Sequence, residues 1–195
     1  MMLRDGTYRA AEAISHLLSP AGVALAVFSS LALGAGWRAS WPSGLAGIVL
    51  YAAVPGGALL ALKRREALSS IYDPPTALRQ RVLLAGAACY LLGFGALSLL
   101  PTPAAMLWAG ASFFCGAALV WLIDRVWKIS IHSVGVGGGI LVLLIQGGAH
   151  LWPLLSAAPL VAWARLHLGA HSPAQVAAGL VLGAAIPLAI RSLFV

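Results

Sequence analysis

Long apolar runs are the feature that most constrains what this chain can fold into. Crossing a bilayer takes roughly 20 mainly apolar residues per helix, and runs of about this length follow one another along most of the sequence. We identify seven, at about 20–37, 43–62, 82–100, 104–123, 129–146, 151–166 and 173–194. Only 9% of residues are charged, whereas a water-facing domain has roughly a quarter. We therefore predict an all-α, polytopic transmembrane helix bundle of six to seven spans, forming a single integral membrane domain over residues 1–195.

The N-terminal residues 1–19 have a different pattern. Charged side chains alternate there with apolar ones, at Arg4, Asp5, Arg9 and Glu12. This is typical of an amphipathic helix that lies in the membrane interface. We predict such a helix ahead of the transmembrane bundle at 20–195.

Basic residues are distributed unevenly between the two sides of the predicted bundle. Because each span crosses the membrane once, successive connections lie on alternate sides of it. One side carries ten of the twelve lysines and arginines, and the other carries Arg38 and Arg191. Four of the ten, Arg79, Arg81, Lys128 and Arg165, are also candidate phosphate ligands, and without them the ratio is still six to two. An excess of lysine and arginine marks the cytoplasmic side. We expect a bacterial or archaeal inner or plasma membrane protein with its active face toward the cytoplasm.

Three polar segments interrupt the apolar pattern, and all three fall on that basic side. The first is the connection 63–81. Lys63, Arg64 and Arg65 directly follow a span, as in an ordinary cytoplasmic loop. Arg79 and Arg81 open the next span, where guanidinium groups can hold phosphate oxygens through paired hydrogen bonds. Asp73, beside two prolines, either tethers an arginine or shapes the turn.

The second segment reads WKISIHSVG, over residues 127–135. Lys128 and His132 lie four residues apart and so share one face of a helix, and Ser130 is suited to cap that helix. Polar groups at the mouth of a span are costly without partners, which favours a functional over a structural role for His132. Lys128 alone could extend to the interface. The glycines that follow, Gly135 to Gly139 with one interruption, predict close helix packing.

The third segment reads WARLHLGAHSPAQ, over residues 163–175. Ser172, Pro173 and Gln175 predict a helix start with a capping box. His171 then lies just ahead of a helix N-terminus, which favours an anion and keeps an imidazole neutral, as a nucleophile requires. His167 has no assigned task, and we interpret His16 and His150 as incidental.

Together these residues resemble the motifs of the type 2 phosphatidic acid phosphatase family. Arg165 and His171 match the family's pattern of arginine, five residues, histidine, three residues and an acid, with Gln175 in place of the acid. The middle motif matches in its core, around His132, and Arg79 and Arg81 resemble a degenerate form of the first. A divergent branch of the family has a lysine-x-serine-x-histidine motif with a closing glutamine.

The resemblance implies a metal-independent lipid phosphatase that needs no cofactor. His171 would attack phosphorus to form a phosphohistidine, His132 would protonate the leaving alcohol, and Gln175 would fix the tautomer of His171. The phosphate would be bound by Arg165, Lys128, Arg79, Arg81 and Ser130. The substrate would be phosphatidate, phosphatidylglycerophosphate, an isoprenyl phosphate or a lipid-linked sugar phosphate, and the other partners membrane lipids.

Two other readings stay open. The chain could be a non-catalytic lipid-phosphate binding protein or transporter, because the acid of the third motif is replaced and the first motif is degraded. It could also be a structural helical bundle whose polar segments face different directions. Nucleic-acid binding is not expected, since membrane orientation accounts for the net charge of +7.

Overall fold

The computed structural model describes residues 6–64 and 76–194, except for the side chains of Trp37, Ala39 and Lys63. All regular secondary structure in these ranges is helical, which confirms the predicted all-α class. The α-helices are α1 (Gly6–Leu17), α2 (Pro20–Gly34), α3 (Trp37–Ile48), α4 (Val54–Arg64), α5 (Thr76–Ser98), α6 (Ala104–Ile123), α7 (Ile131–Gly147), α8 (Ala157–His167) and α9 (Pro173–Ile190). A π-helical segment, Val49–Ala53, joins α3 to α4, and the 3₁₀ segment Ala149–Ser156 precedes α8.

Within the described ranges, four helical stretches are long and apolar enough to cross a membrane. They are Ser40–Leu62, Thr76–Ser98, Ala104–Ile123 and Pro173–Leu193. Helices α1 and α2 are bent by 49° relative to one another, and the pair would be a fifth candidate span if it were counted as one helix. The chain is thus consistent with an integral membrane protein, with four to five candidate spans where the apolar runs predicted six to seven.

The difference arises where apolar runs are broken or short. The sixth run is divided between the 3₁₀ segment, which contains Pro153, and the 11 residues of α8. At 1.5 Å per residue, α8 alone covers about 17 Å of a hydrocarbon core roughly 30 Å thick. Helix α7 has 17 residues. Helix α1 lies within the segment 1–19, for which an interfacial helix is predicted, and it buries Ala11 and Ser15.

Helices α7 and α9 run side by side in the same direction with their backbones in close contact. A Cβ atom on Gly137 would lie 2.5 Å from the carbonyl oxygen of Leu180, and one on Gly138 would lie 3.1 Å from that of Gly183. Only glycine permits this approach, so the predicted close packing along the glycine run is confirmed. The parallel packing brings the first residues of both helices together.

The core lies between α2, the π-helical segment, α5 and α6. Phe28, Tyr51, Tyr90 and Phe113 form an aromatic cluster with ring centroids 4.8 to 6.2 Å apart. The Tyr51 hydroxyl donates to the Tyr90 carbonyl oxygen at 3.0 Å. This core holds α5 and α6 antiparallel, so that the start of α5 lies beside the end of α6.

Candidate active site

In the described part of the chain, several helix ends meet at one end of the bundle. Helices α5, α7 and α9 begin there, and α1, α6 and α8 end there. Arg79 of α5 bonds to the α6–α7 connection, the Ser130 N–H donates to the Gln175 carbonyl oxygen, and Arg165 of α8 bonds to α1. The structure therefore brings together described residues from each of the three polar segments singled out in the sequence.

His171 lies just before α9 and is positioned by the capping box of that helix. The Gln175 N–H donates to Ser172 Oγ at 3.4 Å, and the Ser172 N–H donates to Gln175 Oε1 at 3.0 Å, which confirms the predicted capping box. The same Oε1 atom lies 3.2 Å from His171 Nδ1. Because an amide oxygen only accepts hydrogen bonds, Nδ1 carries the proton. Gln175 thus serves both the helix start and the histidine.

This tautomer leaves the lone pair of His171 on Nε2. That atom is buried and has no hydrogen-bond partner among the described residues. Burial lowers the pKa of His171 from 6.5 to about 3, and the charges of Arg165, Arg79 and Lys128 add to the effect, while the hydrogen bond with Gln175 opposes it. The imidazole is therefore neutral near pH 7. A neutral imidazole whose lone pair makes no hydrogen bond, in a positive environment, is suited to attack an electrophile.

His132 is the second residue of α7. Ser130 caps this helix as predicted, accepting from the Ser133 N–H at 3.4 Å and from the Ser133 hydroxyl at 2.9 Å. His132 Nδ1 is buried and, within the described ranges, bonds to nothing. Arg165 and His171 are among the groups that interact electrostatically with His132. The two predicted catalytic histidines therefore lie close enough to interact electrostatically, and each has a buried nitrogen without a hydrogen-bond partner among the described residues.

Arg165, in the last turn of α8, is 2% exposed. Its Nη1 atom donates to Ser15 Oγ at 2.9 Å. Arg165 and Lys128 both add positive potential at His171. The N-terminal N–H groups of α7 and α9 point toward the same region, because both helices begin there. An anion would be stabilised at this position by charge and by helix ends.

Arg79 is held in a buried ion pair with Asp124, the residue that follows α6. Its Nε atom lies 2.9 and 2.8 Å from the two carboxylate oxygens. Its Nη2 atom donates to Asp124 Oδ1 at 2.7 Å and to the Ile129 carbonyl oxygen at 2.9 Å. Gln80 also donates to the carboxylate, at 3.0 Å. The predicted phosphate ligand Arg79 thus directs these hydrogen bonds into the α6–α7 connection, although its charge still acts on His171.

Arg81 lies apart from the histidines. Two residues along a helix correspond to a rotation of about 200°, so Arg79 and Arg81 point to opposite faces of α5. Arg81 is exposed and lines an open recess with Thr76, Gln80, Leu84, Trp121 and Arg125. The two predicted phosphate ligands Arg79 and Arg81 therefore lie on opposite faces of α5.

The remaining histidines occupy varied positions. His167 is exposed and stacks on Trp163, with ring centroids 5.3 Å apart. His150 is exposed in the 3₁₀ segment. His16, at the end of α1, interacts electrostatically with His132 and so is closer to the site than the sequence indicated. Of the other residues considered from the sequence, Arg4, Asp5, Arg65 and Asp73 lie outside the described residues.

Two residues at this site had no signal in the sequence. Asp124 is one of five acidic residues in the chain, and Ser15 is a small residue within the segment 1–19. Their partners lie 45 and 150 residues away. The only available indication was that a buried arginine needs acceptors.

Comparison with known proteins does not add an assignment. No family model matches the chain, and neither do any curated proteins or solved structures.

Proposed function

We propose that this chain is a membrane lipid phosphatase that hydrolyses a lipid phosphate monoester or diphosphate through a phosphohistidine intermediate. The observation that carries the proposal is the pairing of His171 with Gln175. The hydrogen bond at Nδ1 directs the Nε2 lone pair into a buried, positively charged region. The proposal also agrees with the resemblance of the three polar segments to the type 2 phosphatidic acid phosphatase family.

In the first step, the Nε2 lone pair of His171 attacks phosphorus and the bond from phosphorus to the leaving alkoxide breaks. His132, which enters this step as the imidazolium once the anionic substrate is bound, donates a proton to the leaving oxygen. The leaving group departs as the lipid alcohol, or as the lipid monophosphate when the substrate is a diphosphate. In the second step, His132 takes a proton from water, the water oxygen attacks phosphorus and the P–N bond breaks. Inorganic phosphate is released, and both histidines return to their starting states.

Phosphate binding falls mainly to Arg165 and Lys128, with the helix starts of α7 and α9. Positive charge fixed in a site from which water is excluded stabilises the charge that spreads over the phosphoryl oxygens in the transition state. Ser130 is buried at the start of α7, where its hydroxyl hydrogen is suited to donate to a phosphate oxygen. Arg79 contributes its charge and holds the α6–α7 connection in place.

The membrane placement that we propose keeps this end of the bundle at the cytoplasmic surface. The 3₁₀ segment Ala149–Ser156 and α8 together return the chain from the end of α7 to the site, so the two act as one broken crossing. With α2 and α7 also counted as spans, the proposal keeps the predicted six to seven spans, and α1 remains the interfacial helix. Labelling of a Ser172→Cys variant with an impermeant thiol reagent, in inside-out and right-side-out vesicles, tests the sidedness.

The substrate class follows from this placement. The substrate must hold its phosphate at the membrane interface and its apolar tail among the helices. Four lipid classes meet this requirement equally: phosphatidate, phosphatidylglycerophosphate, isoprenyl phosphates and lipid-linked sugar phosphates. The alternative function is non-catalytic binding or transport of a lipid phosphate. Gln175 favours this alternative, because a neutral amide stabilises the imidazolium of a phosphohistidine less than a carboxylate would.

The deciding experiment measures phosphate release from each of these four classes of lipid phosphate by the purified protein in detergent, with a chelator present. We expect release by the wild type and its loss in His171→Ala. His167→Ala is the matched control, because this histidine lies in the same segment but is exposed and stacked on Trp163. Binding of the lipids without release would instead support the non-catalytic alternative.

A further inference from the structure

The N-terminal helix α1 contacts the candidate active site directly. It packs against α8, and its buried residues are Ala11 and Ser15, both 0% exposed. Ser15 lies in the last turn of α1. A helix that only anchored the chain in the interface would have no need to place a buried hydroxyl at the site.

The partner of that hydroxyl is the most deeply buried cation described at the site. Arg165 is 2% exposed, and its Nη1 atom donates to Ser15 Oγ at 2.9 Å. Among the charged groups that act on His171, Arg165 has the largest effect. The orientation of its guanidinium group therefore determines where the strongest positive charge meets an incoming phosphate.

An arginine side chain has many rotamers, and ordering it on binding costs free energy. A hydrogen bond already made in the unliganded protein reduces that cost, because the guanidinium plane is oriented before the anion arrives. Ser15 accepts from one of the five N–H donors of Arg165 and so fixes the direction of the guanidinium plane.

We propose that Ser15 is a positioning residue, whose hydroxyl holds the Arg165 guanidinium in the orientation that binds phosphate, and that α1 is for this reason a part of the active site. This inference rests on the proposed phosphatase function. It assigns a role to α1 that neither the charge pattern of residues 1–19 nor the motif resemblance contains.

The test compares Ser15→Ala, Ser15→Cys and Ser40→Ala. The cysteine is nearly the size of serine but its sulfur is a weak acceptor, so this variant preserves packing and weakens the hydrogen bond. Ser40 is the matched control, since it is also buried and its hydroxyl donates to the Ala32 carbonyl oxygen between α2 and α3. The readouts are the Kd for inorganic phosphate, the thermal midpoint, and kcat/KM for the best lipid phosphate.

We expect both Ser15 variants to bind inorganic phosphate about tenfold more weakly and to lose kcat/KM by a similar factor, as for loss of one hydrogen bond to a charged group. Ser15→Cys should keep a thermal midpoint near that of the wild type. Ser40→Ala should lower the midpoint and leave phosphate affinity unchanged.

Wild-type phosphate affinity in Ser15→Cys, or losses that follow the thermal midpoint in all three variants, would overturn the inference and leave Ser15 as a packing residue. Such a result would not affect the phosphatase proposal, provided that the wild type releases phosphate. A wild type that releases none from any lipid would reject the phosphatase proposal, and the positioning role with it.

Discussion

Arg79 and Asp124 form a buried ion pair in which three nitrogen–oxygen distances are 2.7 to 2.9 Å. The pair joins the start of α5 to the end of α6, and the same arginine bonds to the Ile129 carbonyl oxygen, one residue before the Ser130 cap. The connection that carries Lys128 is thus fixed at both ends. We interpret this pair as the support that sets the position of α7 and its His132.

Breaking the pair should destabilise the protein strongly. Asp124→Ala leaves the Arg79 charge buried and uncompensated, which typically costs about 3 to 5 kcal/mol. We expect a large fall in the thermal midpoint in detergent. Arg125→Gln is the neighbouring control, because this arginine is exposed and stacks on Trp121, and its midpoint should change little. Equal midpoints for the two variants would show that the ion pair contributes nothing.

The role of Gln175 is tested by Gln175→Glu. Glutamate also fits the third position of a capping box, so α9 should start unchanged. Its carboxylate would raise the pKa of His171 and stabilise the imidazolium that forms during attack. We expect faster phosphate release near pH 7, and in Gln175→Leu a loss of about 100-fold or more, as when a tautomer-fixing partner is removed. Steady-state kinetics check both variants, and a Gln175→Leu variant with full activity would remove Gln175 from the mechanism.

The depressed pKa of His171 has a consequence for stability. In the unfolded chain this histidine titrates near 6.5, whereas in the folded protein it titrates at about 3. Below pH 6.5 the unfolded state therefore binds more protons, and stability falls as the pH is lowered from 6.5 toward 3. His171→Asn should weaken this dependence. Thermal midpoints measured across that range check the sign, and a midpoint that rises on acidification would contradict it.

Phosphate should raise the same pKa. A bound anion offsets the charges of Arg165, Arg79 and Lys128, which lower it in the unliganded protein. Titration of isotope-labelled His171 by NMR, with and without inorganic phosphate, should show an upward shift. The chemical shifts of the exposed His167, recorded at constant pH with and without phosphate, serve as the internal control and should not change.

The placement of the arginines predicts unequal roles. Arg165→Ala removes the buried cation beside His171 and should reduce kcat/KM by about 100-fold or more. Arg81→Ala changes an exposed residue in a separate recess, and we expect an effect within about twofold, as for a surface substitution. If Arg81→Ala reduced kcat/KM as much as Arg165→Ala, Arg81 would not lie on a face of α5 that is separate from the site.

Close packing of α7 on α9 is tested at Gly183. A methyl group there would collide with the backbone of Val134, so Gly183→Ala should separate the two helices and lower stability and phosphate release together. Gly86→Ala is the control, because a Cβ at Gly86 meets nothing within 4 Å. In a helix interior that change should stabilise by about 0.5 to 1 kcal/mol. Thermal midpoints and phosphate release are measured for both variants. A Gly183→Ala variant that keeps both at the wild-type level would contradict the close packing of α7 on α9.

Several features were determined by the sequence itself. The all-α class, the Ser130 cap, the Ser172–Gln175 capping box and the close packing at the glycine run depend on hydropathy and on groups within a few residues of one another. Interactions between residues so close in sequence can be predicted without knowledge of the tertiary structure. The positions of His132 and His171 at helix starts followed from the same local signals.

Only the tertiary structure decided the pairing of Arg79 with Asp124, the separation of Arg81 and the contact between Ser15 and Arg165. These depend on how each helix is rotated about its axis and on contacts across 45 and 150 residues of sequence. Apolar composition is nearly the same all around such helices, so hydropathy does not specify their rotation. Backbone contact between α7 and α9 and the buried polar pairs supply that information, because each is satisfied in one rotation alone.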